Sequence, residues 1–415
     1  MSTRELLDQD KASYARVQPP CPYFGQCGGC ALQDLSYPDQ IALKRSRLTT
    51  ALRSVNRASA SIDVAGCEEP WRYRNKVEFT FGESEGRLIL GYHAARSFWR
   101  VVDLTDCLLL PEPAMRVARD VLRLAIEIGL PAYHARTHQG VFRYLIVRTS
   151  HATGAVMICI ITTLEAGADA LHPHMAQMAE TLRAQHPQLC SVYWGVTSRM
   201  ADVAQPETLR LLCGSLLLDD QMGPFRLQLY PLSFLQQASL QADRMYRAVC
   251  DALDGVPHRV AWDLYCGIGV MALYLSQRFE TVYGIDIEPH HLELARSNAA
   301  LNGVGNIEFR LGAVEQLLLD RRVWLAEAKP DVIVVDPPRA GLHPSALSSL
   351  LAARPLRIAY LSCNVQSLVR DLAILQNSFP RYRLAQFQAF DLFPQTNHVE
   401  TLALLERDVN PHTTD

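Results

Sequence analysis

No stretch of this 415-residue chain approaches the roughly 18 consecutive apolar residues that a membrane span requires. The opening MSTRELLDQDK alternates charge and has no apolar run behind it, so no secretory leader is expected. There is no internal repeat and no collagen-like or low-complexity tract. With 49% apolar and 20% charged residues the chain has ample material for buried cores, which excludes disorder for its bulk. A soluble, cytoplasmic protein of two or three domains is the expectation.

A strong net charge is also missing. Forty Lys and Arg against 43 Asp and Glu leave −3, which does not by itself mark a nucleic-acid binder. The distribution says more. Between Lys44 and Arg100 there are eleven Lys and Arg against six Asp and Glu, interleaved with Trp71, Tyr73, Phe79, Phe81, Tyr92 and Trp99. Cations among aromatics suit phosphate contact and base stacking, although an ordinary solvated face beside a β core has the same composition.

Residues 1–20 are polar, end in Pro-Pro and are expected to form a flexible arm. Residues 21–70 hold a Cys- and Gly-dense stretch and then a helical period over 39–57. From 71 to 235 short alternating runs such as VEFTFG and RLILGYH predict a mixed, mostly antiparallel central domain. FRYLIVRTS and GAVMICIITT are expected to pair as a hairpin around His151–Gly154. From 236 to 410 the rhythm changes. Near-continuous apolar runs (RVAWDLY, TVYGIDI, DVIVVD, RIAYLSC) alternate with helical stretches, which predicts a doubly wound, Rossmann-like parallel sheet. The last two runs, joined by FPQTN, are expected to make an antiparallel hairpin at one edge.

Three of those strands end in polar groups at the edge where such sheets bind ligands. The first runs into Asp263-Leu264-Tyr265-Cys266-Gly267, the second ends at Asp286, and the fourth ends at Asp336 in Asp336-Pro337-Pro338-Arg339. An acidic residue at the second strand end is placed to accept hydrogen bonds from ribose hydroxyls. The GxGxxG of a pyrophosphate cradle is absent, so S-adenosylmethionine fits better than a dinucleotide. The fifth strand ends in Ser362-Cys363-Asn364. A cysteine there is buried by default, but its polar flanks and its place at the ligand edge make it a candidate nucleophile. Asp391, His398 and Glu400 follow near the same edge as candidate acid–base groups.

Eleven cysteines in a chain of this kind do not suggest disulfides. Most are scattered singly, but Cys21, Cys27 and Cys30 are clustered, with Cys107 and Cys67 further on. Four thiolates can hold zinc or an iron–sulfur cluster, and their spacing alone leaves the two even.

DLYCG at 263–267, VDPPRAG at 335–341, YLSCN at 360–364 and FPQTNHVE at 393–400 resemble the RNA uracil-5-methyltransferases. Cys21, Cys27, Cys30 and Cys107 are similar to the set of its iron–sulfur branch, which includes enzymes acting on 23S ribosomal RNA, and WRYRNKVEFTFG at 71–82 looks like that family's central domain. The resemblance runs from Cys21 to about Arg407. It implies a class I methyltransferase domain at 236–410, a central RNA-binding domain at 71–235 and a cluster region at 21–70. It implies S-adenosylmethionine held by Gln236, Tyr265, Asp286 and Asp336, Cys363 as nucleophile and Glu400 as general base. It also implies a [4Fe-4S] cluster on the four cysteines, with Cys107 preferred over Cys67, and a flipped or single-stranded uridine, in 23S ribosomal RNA, as substrate. No membrane or protein partner is implied. Val270 and Ala238 depart from the family's usual residues and weaken single cofactor contacts only. Twenty residues before Cys21 are too few for the extra N-terminal barrel of some members, so the grip on RNA is expected from the cluster and central regions.

The rivals are a transfer RNA target, an amino-methyltransferase and a non-catalytic iron–sulfur RNA-binding protein. The second wants an aromatic residue after Asp-Pro-Pro where Arg339 stands, and the last leaves Cys363 and Glu400 without roles.

Overall fold

The computed structural model describes residues 11–55, 62–163, 167–317 and 329–408. The first half of the expected N-terminal arm lies outside these residues. Residues 11–19 are held in place: the Lys11 and Arg16 side chains both reach Asp34, and Val17 N donates to Asp34 O at 3.0 Å.

Helix α1 (Tyr37–Leu52) begins at Ser36, whose hydroxyl accepts from Asp39 N at 3.3 Å, with a proline in the first turn. It buries Leu43, Leu48, Leu52 and, unusually, Lys44. After it comes a three-residue strand, β1 (Asp63–Ala65).

The central region forms one seven-stranded sheet. Its strands are β2 (Lys76–Ser84), β3 (Arg87–His93), β4 (Val101–Asp103), β5 (Phe142–Thr149), β6 (Val156–Thr162), β7 (Leu189–Val196) and β8 (Thr208–Gly214), in the order β4-β3-β2-β5-β6-β7-β8. All neighbours are antiparallel except β6 and β7. Helix α2 (Glu112–Ile128) separates β4 from β5, and α3 (Ala168–Gln185) makes the β6–β7 crossover. Buried positions of α2 recur at helical spacing (Ala114, Val117, Ala118, Val121, Leu122, Ala125), and the helix stops at Gly129, whose φ of 74° only glycine adopts without strain.

A hairpin of β9 (Leu218–Met222) and β10 (Phe225–Leu229) does not join that sheet. It packs instead against α4 (Ser239–Ala252) and α6 (Pro289–Leu301). The second sheet contains β11 (Val260–Leu264), β12 (Thr281–Asp286), β13 (Ile307–Leu311), β14 (Val332–Val335), β15 (Arg357–Ser362), β16 (Tyr382–Phe390) and β17 (Glu400–Arg407). Helices α5 (Val270–Ser276), α6, α7 (Pro344–Ala353) and α8 (Val365–Asn377) connect its parallel strands. The order is β1-β16-β17-β15-β14-β11-β12-β13, with β17 antiparallel to both neighbours. β14 reads Val-Ile-Val-Val and is wholly buried, as a central strand covered on both faces must be.

β1 caps the outer edge of the β16–β17 hairpin, pairing Val64 with Ala389 in parallel. Chain from the N-terminal region is thus part of the C-terminal sheet. No helix among the described residues is long and apolar enough to cross a membrane.

Candidate active site

The carboxyl ends of β11, β12 and β14 converge as their sequence pattern predicts. β11 turns sharply at Tyr265, a non-glycine residue at φ 65°, and continues through Gly267 at φ 54° and Gly269 at φ 82°. The two glycines serve different ends. A Cβ on Gly267 would meet nothing within 4 Å, so the space above it is open; one on Gly269 would collide with Phe309 and Ala295, which pack there.

Gly267 N donates to Asp286 Oδ2 at 2.9 Å. Asp286 Oδ1 accepts from Glu288 N at 2.9 Å and faces His291 Nδ1 at 3.3 Å. Burial alone would raise this carboxyl, but those hydrogen bonds outweigh it and hold Asp286 below the usual carboxylate range. It is an ionised acceptor with lone-pair capacity to spare. Beside it stand two apolar side chains that the sequence reading did not single out. Ile287 is 69% exposed, and Leu311, paired in register with Asp286, is 52% exposed.

Asp336 ends β14, and burial pushes its carboxyl up to about 6 against the opposing hydrogen bond from Gln236. Gln236 lies on a strap held from the central sheet: Asn75 Nδ2 donates to Gln236 O at 2.8 Å and to Ser239 Oγ at 3.0 Å. Behind them Asp263 is buried with Oδ2 unpartnered, raised well above the carboxylate range by desolvation and by Asp336.

Cys363 and Glu400 meet at the end of a strand pair. Ser362, the last residue of β15, pairs with Thr401, whose Oγ1 donates to Ser362 O at 2.9 Å; Cys363 follows Ser362 and Glu400 precedes Thr401, which brings the two side by side just past the end of that pairing. Burial raises the Cys363 thiol, Glu400 raises it further, and Arg339 pulls it down through charge and a hydrogen bond. Glu400 is 3% exposed, and its Oε2 has no hydrogen-bond partner. Desolvation and then Asp336 drive Glu400 well above the carboxylate range, again opposed by Arg339. Arg339 is therefore the cation of this site. It is held by Asn364 Nδ2 donating to its carbonyl at 2.9 Å.

The other two acid–base candidates fare differently. Asp391 is fully buried, receives Lys44 Nζ at 2.6 Å and the Tyr37 hydroxyl at 3.0 Å, and is not free to exchange protons with a substrate. His398 lies in the same turn, partly buried, and burial with the Arg339, Lys44 and Arg74 charges depresses its pKa.

Residues 221–408 match the family model for tRNA (Uracil-5-)-methyltransferase. The chain is 34% identical over 404 residues to an RNA methyltransferase of Halalkalibacterium halodurans, spanning 97% of this chain and 86% of that one. It is 32% identical over 395 residues to an RNA methyltransferase of Listeria innocua, spanning 95% and 84%. The chain belongs to the RNA uracil-5-methyltransferase family. It is an S-adenosylmethionine-dependent enzyme whose substrate is RNA. Among solved structures it is similar to the Pyrococcus abyssi tRNA (uracil-54, C5)-methyltransferase in complex with S-adenosyl-L-homocysteine. The TM-score is 0.75 at 27% identity, covering 95% of this chain and 86% of that one. The doubly wound sheet is that of a class I methyltransferase.

The methyltransferase carries its cysteine set at the junction of its parts. Cys21, Cys27, Cys30 and Cys107 line one small cavity together with Tyr23 and Tyr92. Cys67 is elsewhere: it lines a separate cavity with Glu68 and Arg244, and its thiol donates to Glu69 O at 3.3 Å. Arg72 fixes the Cys107 loop, donating to Asp106 at 2.6 and 2.8 Å and to Cys107 O at 2.9 Å. Burial drives the Cys27 thiol up to about 11 and Cys30 to about 12. Among the described residues no three Cys, His, Asp or Glu side chains converge in a geometry that would hold a metal ion.

This region also touches the turn that leads to Glu400. Ala31 N and Leu32 N donate to Gln395 O at 2.9 and 3.0 Å, Gln40 exchanges hydrogen bonds with Gln395, and the Tyr73 hydroxyl donates to Pro394 O at 3.0 Å. Finally, a cleft of about 840 Å³ runs between the exposed face of β2 and the end of β12, lined by Lys76, His93, Tyr144, Arg199, Phe234 and Asp286.

Proposed function

We propose that this enzyme methylates C5 of a uridine in 23S ribosomal RNA through a covalent bond from Cys363. The observation that carries the reading is the placement of Cys363, one residue past β15, near Glu400, whose buried oxygen has no partner and is available to a substrate proton.

C5 of uracil is a poor nucleophile. Bond formation between Cys363 Sγ and C6 moves the C5–C6 π electrons toward the C4 carbonyl, making an enolate with a nucleophilic C5. S-adenosylmethionine, when bound, supplies the methyl group to that carbon. Glu400 takes the proton from C5, the electron pair re-forms the C5–C6 double bond, and Cys363 leaves as thiolate. A carboxyl raised by burial is the stronger base once ionised, and Arg339 supports both the thiolate and the carboxylate. The target must leave its stack, so a flipped or single-stranded uridine is required.

The open space over Gly267, the ionised Asp286 and the bare Ile287 and Leu311 fit an adenosyl group. In this reading Asp286 takes the ribose, Tyr265 flanks it, and Gln236 with Asp336 holds the end nearer Cys363. We assign the cysteine cavity to a [4Fe-4S] cluster on Cys21, Cys27, Cys30 and Cys107, on the strength of an all-thiol donor set around one cavity. The division follows as a cluster region (21–70), a central RNA-binding domain (71–235) and a methyltransferase domain (236–410). The cleft with Lys76 and Arg199 offers RNA a path from the second part to the third. A cytoplasmic location goes with a ribosomal substrate.

The cysteine set favours ribosomal RNA, whereas likeness to a tRNA (uracil-54, C5)-methyltransferase favours transfer RNA. Purified enzyme given 23S fragments and transfer RNA, followed by mapping of 5-methyluridine, separates them. Product in the ribosomal fragment is expected; product confined to transfer RNA overturns the target, and no product in either overturns the activity assigned to the pair.

A further inference from the structure

At the end of the C-terminal sheet opposite the active site, a groove of about 1240 Å³ opens between the loops that lead into β11, β15 and β16 and the end of β17. Arg354, Arg357, Arg381, Arg383 and Arg407 line it, against Glu406 and Asp408. That is a surplus of three positive charges in a chain whose net charge is −3. Glu406 is shared by two of the arginines, Arg357 at 2.8 Å and Arg383. Arg407 donates to the Arg354 carbonyl at 2.8 Å, and Arg381 is exposed; among the described residues neither has a carboxylate partner. Phe379 stands in the same groove, 77% exposed, with the Arg354 guanidinium 5.6 Å from its ring centre.

Arginines that outnumber the nearby acids suit phosphates, and a bare aromatic face beside them suits a nucleobase. Together they are the means by which proteins grip a single strand without reading its sequence. An acidic protein surface would match the charge, but the exposed ring and a substrate that is RNA favour nucleic acid.

The groove lies at the far ends of the two strands that position the reactive pair. Arg357 opens β15, which leads to Cys363, and Arg407 closes β17, which begins at Glu400. The six residues of β15, at about 3.3 Å each, set the groove roughly 20 Å from the thiol. We infer that this groove is a second contact for the substrate RNA, in which phosphates meet Arg381 and its neighbours and one base stacks on Phe379. The RNA then runs over the outside of the methyltransferase domain, with its uridine in the active site and a flanking single strand in the groove. This asks only that the substrate be RNA; it depends neither on the covalent step nor on which RNA is methylated.

Equilibrium binding of single-stranded RNA tests it, on the full-length protein as wild type, Phe379→Ala, Arg381→Ala and the double variant. Both side chains are exposed, so the affinity for S-adenosylmethionine should stay at the wild-type value throughout. With an RNA long enough to span both sites, Phe379→Ala should weaken binding about fivefold or more at an unchanged salt dependence. Arg381→Ala should lower the slope of log affinity against log salt by about 0.7, the share of one phosphate contact. A short RNA that fills the active site alone should bind every variant as it binds wild type. Wild-type affinity and slope for the long RNA in the double variant would overturn the proposal, and are what a groove made for an acidic protein would give. An equal loss for short and long RNA would overturn it as well, because the effect would then lie outside the groove. Failure of the uridine chemistry leaves these measurements untouched, since none of them requires turnover.

Discussion

Cys363, the residue that follows β15, and Glu400, the first residue of β17, are 37 positions apart in the chain and near enough for the Glu400 charge to raise the thiol. Their chain neighbours Ser362 and Thr401 are directly paired, and side chains so paired have Cβ atoms about 4.5–5.5 Å apart. Both strands are largely buried, so the sheet places Glu400, while Cys363 stands in the bend that leaves β15. Arg339, from the end of β14, supplies the only positive charge that opposes the upward shift of Glu400 among its leading influences.

If the two divide the reaction as proposed, their losses have different signatures. Cys363→Ala should abolish methyl transfer with RNA and S-adenosylmethionine affinity near normal. Glu400→Gln should add the methyl group but fail to remove the C5 proton, leaving RNA covalently attached to Cys363. A shifted band on a denaturing gel reports the adduct, and it should vanish in the double variant. Asp391, locked to Lys44, should not substitute as base, so the adduct is expected to persist. Substantial turnover by Cys363→Ala would end the covalent mechanism.

Asp336 gives a pH signature. Its carboxyl is pushed up to about 6 by burial, above the ordinary value of 3.8, so the folded enzyme keeps a proton that the unfolded chain releases. Stability from this group is intact below about pH 4 and falls as pH rises toward and through 6. Asp336→Asn should therefore be more stable than wild type at pH 7.5, by about 1–3 kcal/mol, with the advantage shrinking as pH is lowered toward 4. Asp286, held low, shifts stability the opposite way in both proteins, so only their difference is diagnostic. Urea denaturation at several pH values measures it, and no advantage at pH 7.5 would mean that Asp336 is better solvated than its burial implies.

The sheet and its ligand edge were legible because they depend on local signals. Apolar runs with strand-ending acids needed only the order of residues along each segment, and Asp286, Asp336 and Cys363 all stand at the strand ends that pattern gave them. What the sequence hid is long-range pairing. Nothing about Lys44, at an apolar phase of α1, says that it takes Asp391 out of the active site, and Asn75 carries no sign that it grips Gln236. β1 is three residues long and becomes a strand only because β16 offers an edge. The β9–β10 hairpin reads like the strands before it, but its apolar face is buried against α4 and α6. Arg339 could have been found: a cation in the place of an aromatic residue signals that charge, not base stacking, is wanted there.

The Lys44–Asp391 pair is a stability prediction. Both side chains are almost wholly buried, with Nζ at 2.6 Å from Oδ1 and a second bond to Phe393 O at 3.2 Å. Lys44→Met leaves a buried carboxylate without its cation and should cost about 3–5 kcal/mol. Removing both charges in Lys44→Met, Asp391→Asn should recover much of that, since the Tyr37 hydroxyl can still donate to the amide oxygen. Chemical denaturation of the two variants decides it. A double variant no better than the single would show that the turn at 391–397 needs the charge itself.

The last prediction separates Cys107 from Cys67, which the sequence alone left as rivals for the fourth ligand. Cys107 shares a cavity with Cys21, Cys27 and Cys30, whereas Cys67 lines another and is already bonded to Glu69 O. Serine can make that bond too, so Cys67→Ser should keep its metal and most of its stability. Cys107→Ser places a hard hydroxyl, not readily ionised, among three thiolates, and should lose the metal on purification in air. Iron and zinc are both counted in each protein, anaerobically purified wild type serving as reference with about four irons per chain for a cubane. Stoichiometric zinc without iron in the wild type would replace the cluster with a single-ion site. Retention by Cys107→Ser together with loss by Cys67→Ser would show that the cysteine region rearranges on loading, bringing in a thiol that this conformation holds elsewhere.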